Sequence, residues 1–267
     1  MKSIVILTSN SLRHDYLRIM FGLNPEINVL RSYIEVPKNI ETQQDLSEIE
    51  KNHFLTRSKT EIDFFSDIVS SSKDSSNPVS VEKNNINDQS YINEVKKLNP
   101  DLIITFGCCI IRENFLEAFK NKIINVHLGI SPYYLGAGTN FISMVNNDLQ
   151  CTGYTFMYMD QGIDTGEIIH QARAEVYLFD NMHQIGNRLI KNMVHDFVKL
   201  VSNFHLIKKI HPVASNINPI ICFNRDATKP KTIELYNNFL NGAVKNFLAN
   251  KEVLESRYPI IEQNFLK

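Results

Sequence analysis

The stretch that decides the fold is PDLIITFGCCIIRENFLEAFKNKIINVH, residues 100–127. Its residues 102–106 form an uninterrupted apolar and β-branched run, which is typical of a strand buried on both faces. Residues 112–119 then carry apolar side chains at helical spacing, and residues 123–126 form a second short apolar run. The order strand, helix, strand predicts a crossover unit in which the two strands are parallel.

The alternation of strands and helices extends on both sides of this unit. Further strands are predicted at residues 4–7, 27–36 and 78–81, and further helices at residues 12–21, 42–72 and 89–98. Downstream, residues 151–159 and 167–178 are two runs rich in Tyr, Val, Ile, Phe and Thr, which indicates antiparallel strands at a sheet edge. The sequence therefore predicts an α/β fold built on a doubly wound, mostly parallel sheet.

The chain beyond these edge strands is predicted to be helical and then irregular. Residues 181–208 carry large apolar side chains at four-residue spacing, which predicts a long amphipathic helix. After it, prolines and asparagines interrupt the sequence, and one more helix is predicted at residues 231–250. We therefore divide the chain into a large domain, residues 1–208, and a small C-terminal subdomain, residues 209–267.

Composition argues against several classes of protein. The 28 Lys and Arg and 29 Asp and Glu residues give a net charge of −1, whereas dedicated nucleic-acid-binding proteins usually have a marked basic excess. Four cysteines in 267 residues are too few for a disulfide scaffold and show no metal-ligand spacing. The longest apolar run, residues 102–111, is shorter than the ~20 residues of a membrane helix. We expect a cytoplasmic protein that binds no nucleic acid, membrane or metal.

Candidate reactive side chains follow the predicted strands, where open α/β sheets bind their ligands. Asn125 and His127 alternate along one predicted strand and so point to the same side. A later glycine-containing loop supplies two carboxylates, Asp160 and Asp164. Either pattern alone is more typical of a turn than of a site. Together, an amide, an imidazole and a carboxylate suit acyl transfer, because they can stabilise an oxyanion and move a proton.

Three segments around these residues form an ordered set. They are PDLIITFG at 100–107, NVHLGISP at 125–132 followed by Gly136, and GYT at 153–155 with DQGIDTG at 160–166. In this order they resemble the 10-formyltetrahydrofolate-dependent formyltransferases, which include glycinamide ribonucleotide transformylases, methionyl-tRNA formyltransferases and nucleotide-sugar N-formyltransferases. The resemblance covers residues 100–171 and implies the Rossmann-like formyltransferase sheet of that family.

The resemblance implies a role for each matching residue. Asn125 would donate its amide hydrogen bond to the formyl oxygen, and His127 would stabilise the oxyanion and relay a proton. Asp164 would hold His127 and favour its charged form, and Thr155 matches a hydroxyl position near the site. The residues implied in binding the co-substrate 10-formyltetrahydrofolate are Phe106, Cys109, Ile110, Asp160 and Gly162. The attacking group would be a primary amine.

The sequence departs from the family pattern in two places. Leu128 and Gly129 stand where a proline commonly follows the histidine. The first loop, residues 8–14, lacks the glycines that let a backbone wrap a phosphate closely, which argues against a purine-pathway acceptor. We assign acceptor binding to this loop and to the segment after the active strand, with helix capping and loop packing as the alternatives. The assigned residues are Ser9, Asn10, Arg13, His14, Tyr134, Gly138, Thr139 and Asn140.

The last part of the chain bears on the choice of acceptor. Residues 201–267 carry nine basic and five acidic side chains, without the basic cluster that tRNA binding would need. We predict formyl transfer to the amine of a nucleotide-linked amino-dideoxy sugar, such as a dTDP-sugar, for a lipopolysaccharide O-antigen. Methionyl-tRNA formyltransferase, glycinamide ribonucleotide transformylase, 10-formyltetrahydrofolate hydrolase and a non-catalytic binding module stay open as alternatives, as does a homodimer.

A set of charged and polar residues on the long N-terminal helix lies outside these motifs. His53, Arg57 and Glu61 follow one another at four-residue steps and so share one face of the predicted helix. Although this face could reach the site, we expect it to be a solvated, salt-bridged surface.

Overall fold

A computed structural model describes residues 1–37, 47–211 and 217–266, with a seven-stranded sheet at its centre. The strands are β1 (Lys2–Ser9), β2 (Ile27–Val36), β3 (Pro78–Glu82), β4 (Leu102–Phe106), β5 (Ile123–His127), β6 (Tyr134–Gly136), β7 (Gly153–Tyr158), β8 (Ile168–Arg173) and β9 (Ile220–Cys222). The helices are α1 (Leu12–Leu23), α2 (Glu48–Ser71), α3 (Gln89–Leu98), α4 (Glu113–Ala118), α5 (Thr139–Val145), α6 (Met182–Ser202), α7 (Lys229–Leu240) and α8 (Ala243–Ser256).

The central sheet has the strand order β3-β2-β1-β4-β5-β7-β8. Strands β1 to β5 pair in parallel, whereas β7 is antiparallel to both β5 and β8. A separate ribbon pairs β6 with β9 in parallel. The predicted doubly wound, mostly parallel α/β fold with an antiparallel edge is therefore confirmed.

Strand β4 shows why the sheet is covered on both faces. Its side chains alternate between two hydrophobic clusters, with Leu102 and Ile104 in one and Ile103 in the other. The first cluster is completed by α1, α2 and α6, and Phe65 is a fully buried contribution from α2. The second is completed by α3 and α4, including the fully buried Phe115. An unbroken apolar run is what a strand needs when both of its faces are buried.

Most predicted element bounds are confirmed, and the exceptions lie late in the chain. Strand β8 ends at Arg173, so the prediction of a strand up to residue 178 is wrong. Helix α6 ends at Ser202, and a short 3-10 turn replaces its predicted continuation to residue 208. Residues 42–46 of the helix predicted at 42–72 lie outside the described residues. Within the described part, α2 begins after its N-terminal cap Ser47.

The single helix predicted at residues 231–250 is also wrong, because two helices, α7 and α8, occupy this region. The chain breaks at Gly242, whose φ of +87° is left-handed and cannot occur inside a right-handed α-helix. Asn241 is the C-terminal cap of α7, and Gly242 is the N-terminal cap of α8. The Asn–Gly pair is itself a turn signal that the apolar spacing on either side obscured.

The described residues after 208 pack closely on the rest of the chain. Leu235 of α7 and Val244 of α8 belong to the main hydrophobic cluster. The Gln263 side chain donates hydrogen bonds to the carbonyls of Ile169 and Lys208, at 3.0 and 2.7 Å. The division at residue 208 stays a prediction, and apolar and polar contacts both cross it.

Helix α6, of 21 residues, has a buried face that packs against the sheet and a polar outer face. Helix α2, of 24 residues, packs on α1, α6 and α7, buries Glu61 as well as Phe65, and leaves apolar side chains such as Leu55 and Ile62 exposed. Among the helices of the described ranges, none combines the length and the apolar character that crossing a membrane requires.

Truncating the aromatic contact between the sheet and α6 should destabilise the whole fold. Phe197 is fully buried, stacks on Phe156 at 4.7 Å between ring centroids, and meets Phe21 edge-on at 5.4 Å. Phe197→Ala should lower the free energy of unfolding by ~3–5 kcal/mol, because the cavity it leaves cannot close fully. The matched change Phe179→Ala, at a side chain 91% exposed, should alter it by less than ~0.5 kcal/mol. Urea unfolding of both variants measures the difference, and equal effects would contradict the packing described.

Candidate active site

Two adjoining cavities open at the carboxyl ends of the central strands. Their volumes are about 690 and 600 Å³. The larger lies beside the ends of β1 and β2, and the smaller lies beside the loop between β7 and β8. Asn125, Gly136 and Asp164 line both cavities, and His127 lines the larger one; we call these four residues the junction. This is the edge of a parallel sheet at which ligands ordinarily bind.

The amide of Asn125 has its orientation fixed from the neighbouring strand. The parallel register of β4 and β5 places Thr105 opposite Asn125. Thr105 Oγ1 donates a hydrogen bond to Asn125 Oδ1 at 2.7 Å. Because the amide oxygen is engaged, the NH₂ group faces the junction, where Nδ2 lies 3.3 Å from Asp164 Oδ1. The arrangement presents an N–H donor to an oxygen atom of a ligand.

The imidazole of His127 lies between two oxygen atoms and is 5% exposed. Its Nδ1 is 3.1 Å from Asp164 Oδ2, and its Nε2 is 2.9 Å from the backbone oxygen of Tyr134. A carbonyl and an ionised carboxylate can only accept hydrogen bonds, so both contacts are satisfied when each ring nitrogen carries a proton. The two contacts engage both ring nitrogens and fix the plane of the ring.

The carboxylate of Asp164 collects donors from three directions. The Gly136 N–H donates to Oδ2 at 2.9 Å, beside the contacts from His127 and Asn125. Burial alone would raise the pKa of this carboxyl group. The hydrogen bond and charge of His127, together with the Gly136 N–H, outweigh burial and hold the pKa of Asp164 below its ordinary value. Asp164 is therefore ionised at neutral pH.

The C-terminal subdomain holds the backbone donor that binds Asp164. Gly136 ends β6, which pairs with β9, and the N–H of Ala137 donates to the Cys222 carbonyl at 2.9 Å. Gly136 has a φ of +94°, and a Cβ there would lie 2.2 Å from the Cys222 oxygen. Only glycine fits this position. Strand β9, from the last part of the chain, thus helps to complete the site, a point that the sequence left open.

The family of the chain follows from its sequence matches. A sequence profile of the family described as "Formyl transferase" matches residues 47–201, more than half of the chain. The chain belongs to this formyl transferase family. The predicted resemblance is confirmed at that level.

Curated relatives of this chain include the methionyl-tRNA formyltransferase of Finegoldia magna. It is 31% identical over 171 residues, which are 58% of this chain and 52% of that protein. The methionyl-tRNA formyltransferase of Clostridioides difficile is 40% identical over 113 residues, 39% of this chain and 36% of that protein. The chain thus spans about half, or less, of the length of these relatives.

Solved structures share the fold of this chain at low sequence identity. A phosphoribosylglycinamide formyltransferase from Anaplasma phagocytophilum has a TM-score of 0.57 and 18% identity, covering 84% of this chain and 99% of that one. A sugar N-formyltransferase from a Shewanella species has a TM-score of 0.56 and 13% identity, covering 88% and 87%. The formyltransferase PseJ from Anoxybacillus kamchatkensis was solved in complex with UDP-4,6-dideoxy-4-formamido-L-AltNAc and tetrahydrofolate. It has a TM-score of 0.50 and 19% identity, and the match covers 87% of this chain and 97% of that one.

Gly129, in the segment that departs from the family pattern, lies close against the imidazole. A Cβ at this position would lie 2.5 Å from His127 Nε2 and 2.6 Å from Thr139 Oγ1. There is therefore no room for a side chain between the backbone and the imidazole. The Gly129 carbonyl accepts a hydrogen bond from Thr155 Oγ1 at 2.7 Å. Thr155, assigned near the site by resemblance, therefore supports the segment that packs on His127.

The five residues assigned to the co-substrate all line the two cavities. Phe106 lines the larger cavity, Cys109 lines both, and Ile110, Asp160 and Gly162 line the smaller. Asp160 Oδ1 accepts a hydrogen bond from the Gly162 N–H at 3.0 Å, so this carboxylate shapes the loop. Their contact with a co-substrate stays a prediction.

The residues assigned to the acceptor from the first loop fall into two groups. Ser9 and Asn10 line the larger cavity, whereas Arg13 and His14 do not. His14 is buried, and its Nδ1 lies 2.8 Å from the hydroxyl of Ser11, the N-terminal cap of α1. Burial and the charges of nearby arginines lower the pKa of His14 to about 3. His14 is a neutral support of the helix, and the capping alternative holds at Ser11.

The residues assigned to the acceptor after the active strand do not line either cavity. The Tyr134 hydroxyl donates to a carboxylate, and the Thr139 hydroxyl donates to a backbone carbonyl. Asn140 exchanges hydrogen bonds of 2.9 and 3.0 Å with the backbone of Gly153, and Gly138 is the cap before α5. The loop-packing alternative describes these side chains, and their contact with an acceptor stays a prediction without support from the geometry.

Three cavity residues were not singled out from the sequence. Glu35, at the end of β2, is 6% exposed and accepts hydrogen bonds from the backbone N–H groups of Asn84 and Cys109. Lys83 and Asn224 line both cavities. Glu35 could have been found by inspecting every strand end, whereas Asn224 reaches the site only through the pairing of β9 with β6.

Adding one methyl group at Gly136 should disrupt the junction. In Gly136→Ala the Cβ meets the Cys222 oxygen and the left-handed backbone is strained, which should lower the free energy of unfolding by about 1–3 kcal/mol. The matched change Gly186→Ala, in α6 with no atom within 4 Å of the new Cβ, should stabilise by up to ~1 kcal/mol. Urea unfolding distinguishes the two, and an unchanged Gly136→Ala would argue against the contact.

Proposed function

We propose that the chain transfers a formyl group from 10-formyltetrahydrofolate to the primary amine of a nucleotide-linked amino-dideoxy sugar. The observation that carries this proposal is the junction itself. An amide donor, an imidazole bound at both nitrogens and an ionised carboxylate meet there within hydrogen-bond reach, between two ligand-sized cavities. These are the groups that acyl transfer to an amine requires.

The smaller cavity suits the donor. Its volume of about 600 Å³ is within the range of ordinary ligand pockets. Ile110, Ile163 and Phe223 form exposed apolar walls, on which a flat heteroaromatic ring can lie. The loop from Asp160 to Gly166, to which Ile163 belongs, also lines this cavity, and its backbone can offer hydrogen bonds to ring nitrogens. When bound, the donor supplies an activated formyl group.

The residues of the junction divide the chemistry between them. The acceptor amine forms a C–N bond to the formyl carbon, the bond from that carbon to N10 of the donor breaks, and one proton passes from the amine to N10. Asn125 Nδ2 and the charged His127 stabilise the negative charge that develops on the formyl oxygen. Asp164 Oδ2 holds His127 Nδ1, while Oδ1 faces Asn125 at 3.3 Å and is placed to accept the amine proton.

The larger cavity suits a polar, phosphate-bearing acceptor. Ser9, Asn10 and Lys83 contribute polar groups to its wall, and His127 also lines it. Among the structures that share the fold, the Shewanella protein is a sugar N-formyltransferase, and PseJ holds a formylated nucleotide sugar with tetrahydrofolate. Cytoplasmic sugar modification for a surface polysaccharide such as a lipopolysaccharide O-antigen belongs to the same proposal.

Methionyl-tRNA is the second candidate acceptor. It is favoured by the curated relatives in Finegoldia magna and Clostridioides difficile, which are methionyl-tRNA formyltransferases. Against it stand the net charge of −1 and the mild basic excess of the C-terminal subdomain, since tRNA binding depends on neutralising many phosphates.

Incubating the purified protein with 10-formyltetrahydrofolate and separate acceptors tests the proposal. The acceptors are a panel of nucleotide-linked 3-amino- and 4-amino-dideoxy sugars and methionyl-tRNA, with mass spectrometry to detect one added formyl group. We expect a formylated sugar. Formylated tRNA would replace the sugar proposal with the second candidate. Formate without transfer would point to hydrolysis, and no turnover of the donor would contradict the enzymatic proposal.

Changes at the junction should reduce turnover far more than they reduce stability. His127→Asn and Asp164→Asn should each lower kcat by about 10²–10³, because each removes a group that stabilises the developing oxyanion or its cation. His205→Asn, at an exposed histidine outside both cavities, should leave kcat unchanged. Full activity of His127→Asn would remove the proposed mechanism.

A further inference from the structure

The His53, Arg57 and Glu61 face of α2 is not the solvated surface expected from the sequence. Glu61 is 8% exposed, and its Oε1 accepts a hydrogen bond from the Arg13 backbone N–H at 3.1 Å. The His53 ring lies 4.7 Å from the His183 ring, between ring centroids. The face therefore packs against the first turns of α1 and α6, so the expectation of a solvated, salt-bridged face is wrong.

This packing brings two arginines together without a matching number of acids. Arg57 lies one turn before Glu61 on the same face of α2, and Glu61 accepts a hydrogen bond from the Arg13 backbone N–H, so both arginines lie near the start of α1. Within the described ranges, neither guanidinium group has an ion pair or a hydrogen-bond acceptor, whereas Arg18 binds both Asp15 and Asp74.

The charges of the two arginines act on each other. Burial, together with the charge of Arg57, lowers the pKa of Arg13 to about 10, and the charge of Glu61 offsets only part of this effect. One carboxylate, Glu61, accompanies the two arginines, which leaves a net positive charge in a partly buried place. Such an arrangement is stabilised when an anion binds.

Two histidines next to the arginines have nitrogen atoms without partners. His183 is 7% exposed, and its Nε2 is buried with no hydrogen-bond partner in the described structure. The same holds for His53 Nδ1. A buried polar atom left unpaired costs free energy, and an oxygen-rich anion is what two arginines and an imidazole N–H can all bind. A metal ion is excluded as the occupant, because a guanidinium group offers no lone pair.

The cluster lies next to the larger cavity. Asn10 lines that cavity and is three positions before Arg13. The charges of Arg13 and Arg57 both lower the pKa of His14, whose Nε2 lies directly beneath Gly107 in the cavity wall. A ligand with its amine at the junction and a phosphate further along the cavity would approach this cluster.

We propose that Arg13 and Arg57, with His53 beside them, bind a phosphate group of the acceptor. The planar guanidinium fork pairs with two phosphate oxygens at once, and His53 contributes one N–H donor. The inference rests on the proposed transfer to a phosphate-bearing acceptor, and it names the residues that recognise the acceptor away from its amine.

Binding of inorganic pyrophosphate to the full chain tests the site without any turnover. Titration calorimetry should give a dissociation constant for pyrophosphate that is at least about 10-fold larger for Arg57→Gln and for Arg13→Gln than for the unchanged chain. Lys59→Gln is the matched control, because it removes the same charge from an exposed position of α2. Arg57→Lys keeps the charge but loses the fork, so its affinity should fall between the two.

The outcomes separate this inference from the proposed function. Equal binding by Arg57→Gln and Lys59→Gln, in chains shown by circular dichroism to be folded, would overturn the site, as would absence of binding to the unchanged chain. If neither a nucleotide sugar nor tRNA is formylated, the pyrophosphate result still decides the site.

Steady-state kinetics with whichever acceptor the protein is found to formylate then identify the source of the phosphate. Arg57→Gln should raise the KM for the acceptor by about 10-fold or more, with kcat and the KM for 10-formyltetrahydrofolate little changed. Competition by a nucleoside diphosphate, but not by an RNA acceptor stem, supports the sugar source, and the reverse supports tRNA. An unchanged acceptor KM in Arg57→Gln would contradict the inference.

Discussion

The hydrogen bond from the Gly136 backbone to Asp164 is the contact on which the rest of the site depends. That carboxylate also binds the imidazole of His127 and faces the amide of Asn125, so one side chain sets the positions of two others. A backbone donor cannot rotate away as a side chain can, which makes it a fixed reference for the group it binds. The sheet supplies the other anchors, since Asn125 and His127 belong to β5 and Thr105 to β4.

The geometry couples two regions that the division at residue 208 separates. The larger region supplies the reactive side chains, and the smaller supplies β9, against which Gly136 fits only because it lacks a Cβ. Asn224 and Phe223, directly after β9, also reach the cavity walls. The C-terminal subdomain is thus part of the ligand-binding surface, and its sequence bears on what the chain accepts.

The sequence predicted what depends on short-range order. Alternation along one strand places Asn125 beside His127, and an unbroken apolar run identifies β4, so the central sheet and the junction side chains could be found without coordinates. Contacts set by distant pairing could not. The partner of Gly136 lies far along the chain in β9. His14 is buried and supports α1 because of how that helix packs against the sheet, which the sequence does not show. Polar side chains such as Asn140 look alike in sequence whether they bind a ligand or a neighbouring backbone.

The pairing of β6 with β9 has a thermodynamic consequence beyond the shape of the site. Because Gly136 is shared between that ribbon and the carboxylate, a ligand that needs Asp164 in place binds only the paired form of the chain. Linkage then requires reciprocity: occupancy of the cavities stabilises the docked C-terminal subdomain, and weaker docking lowers affinity by the same factor. Sequence changes far from either cavity can in this way set how tightly a ligand is held, without altering any atom that touches it.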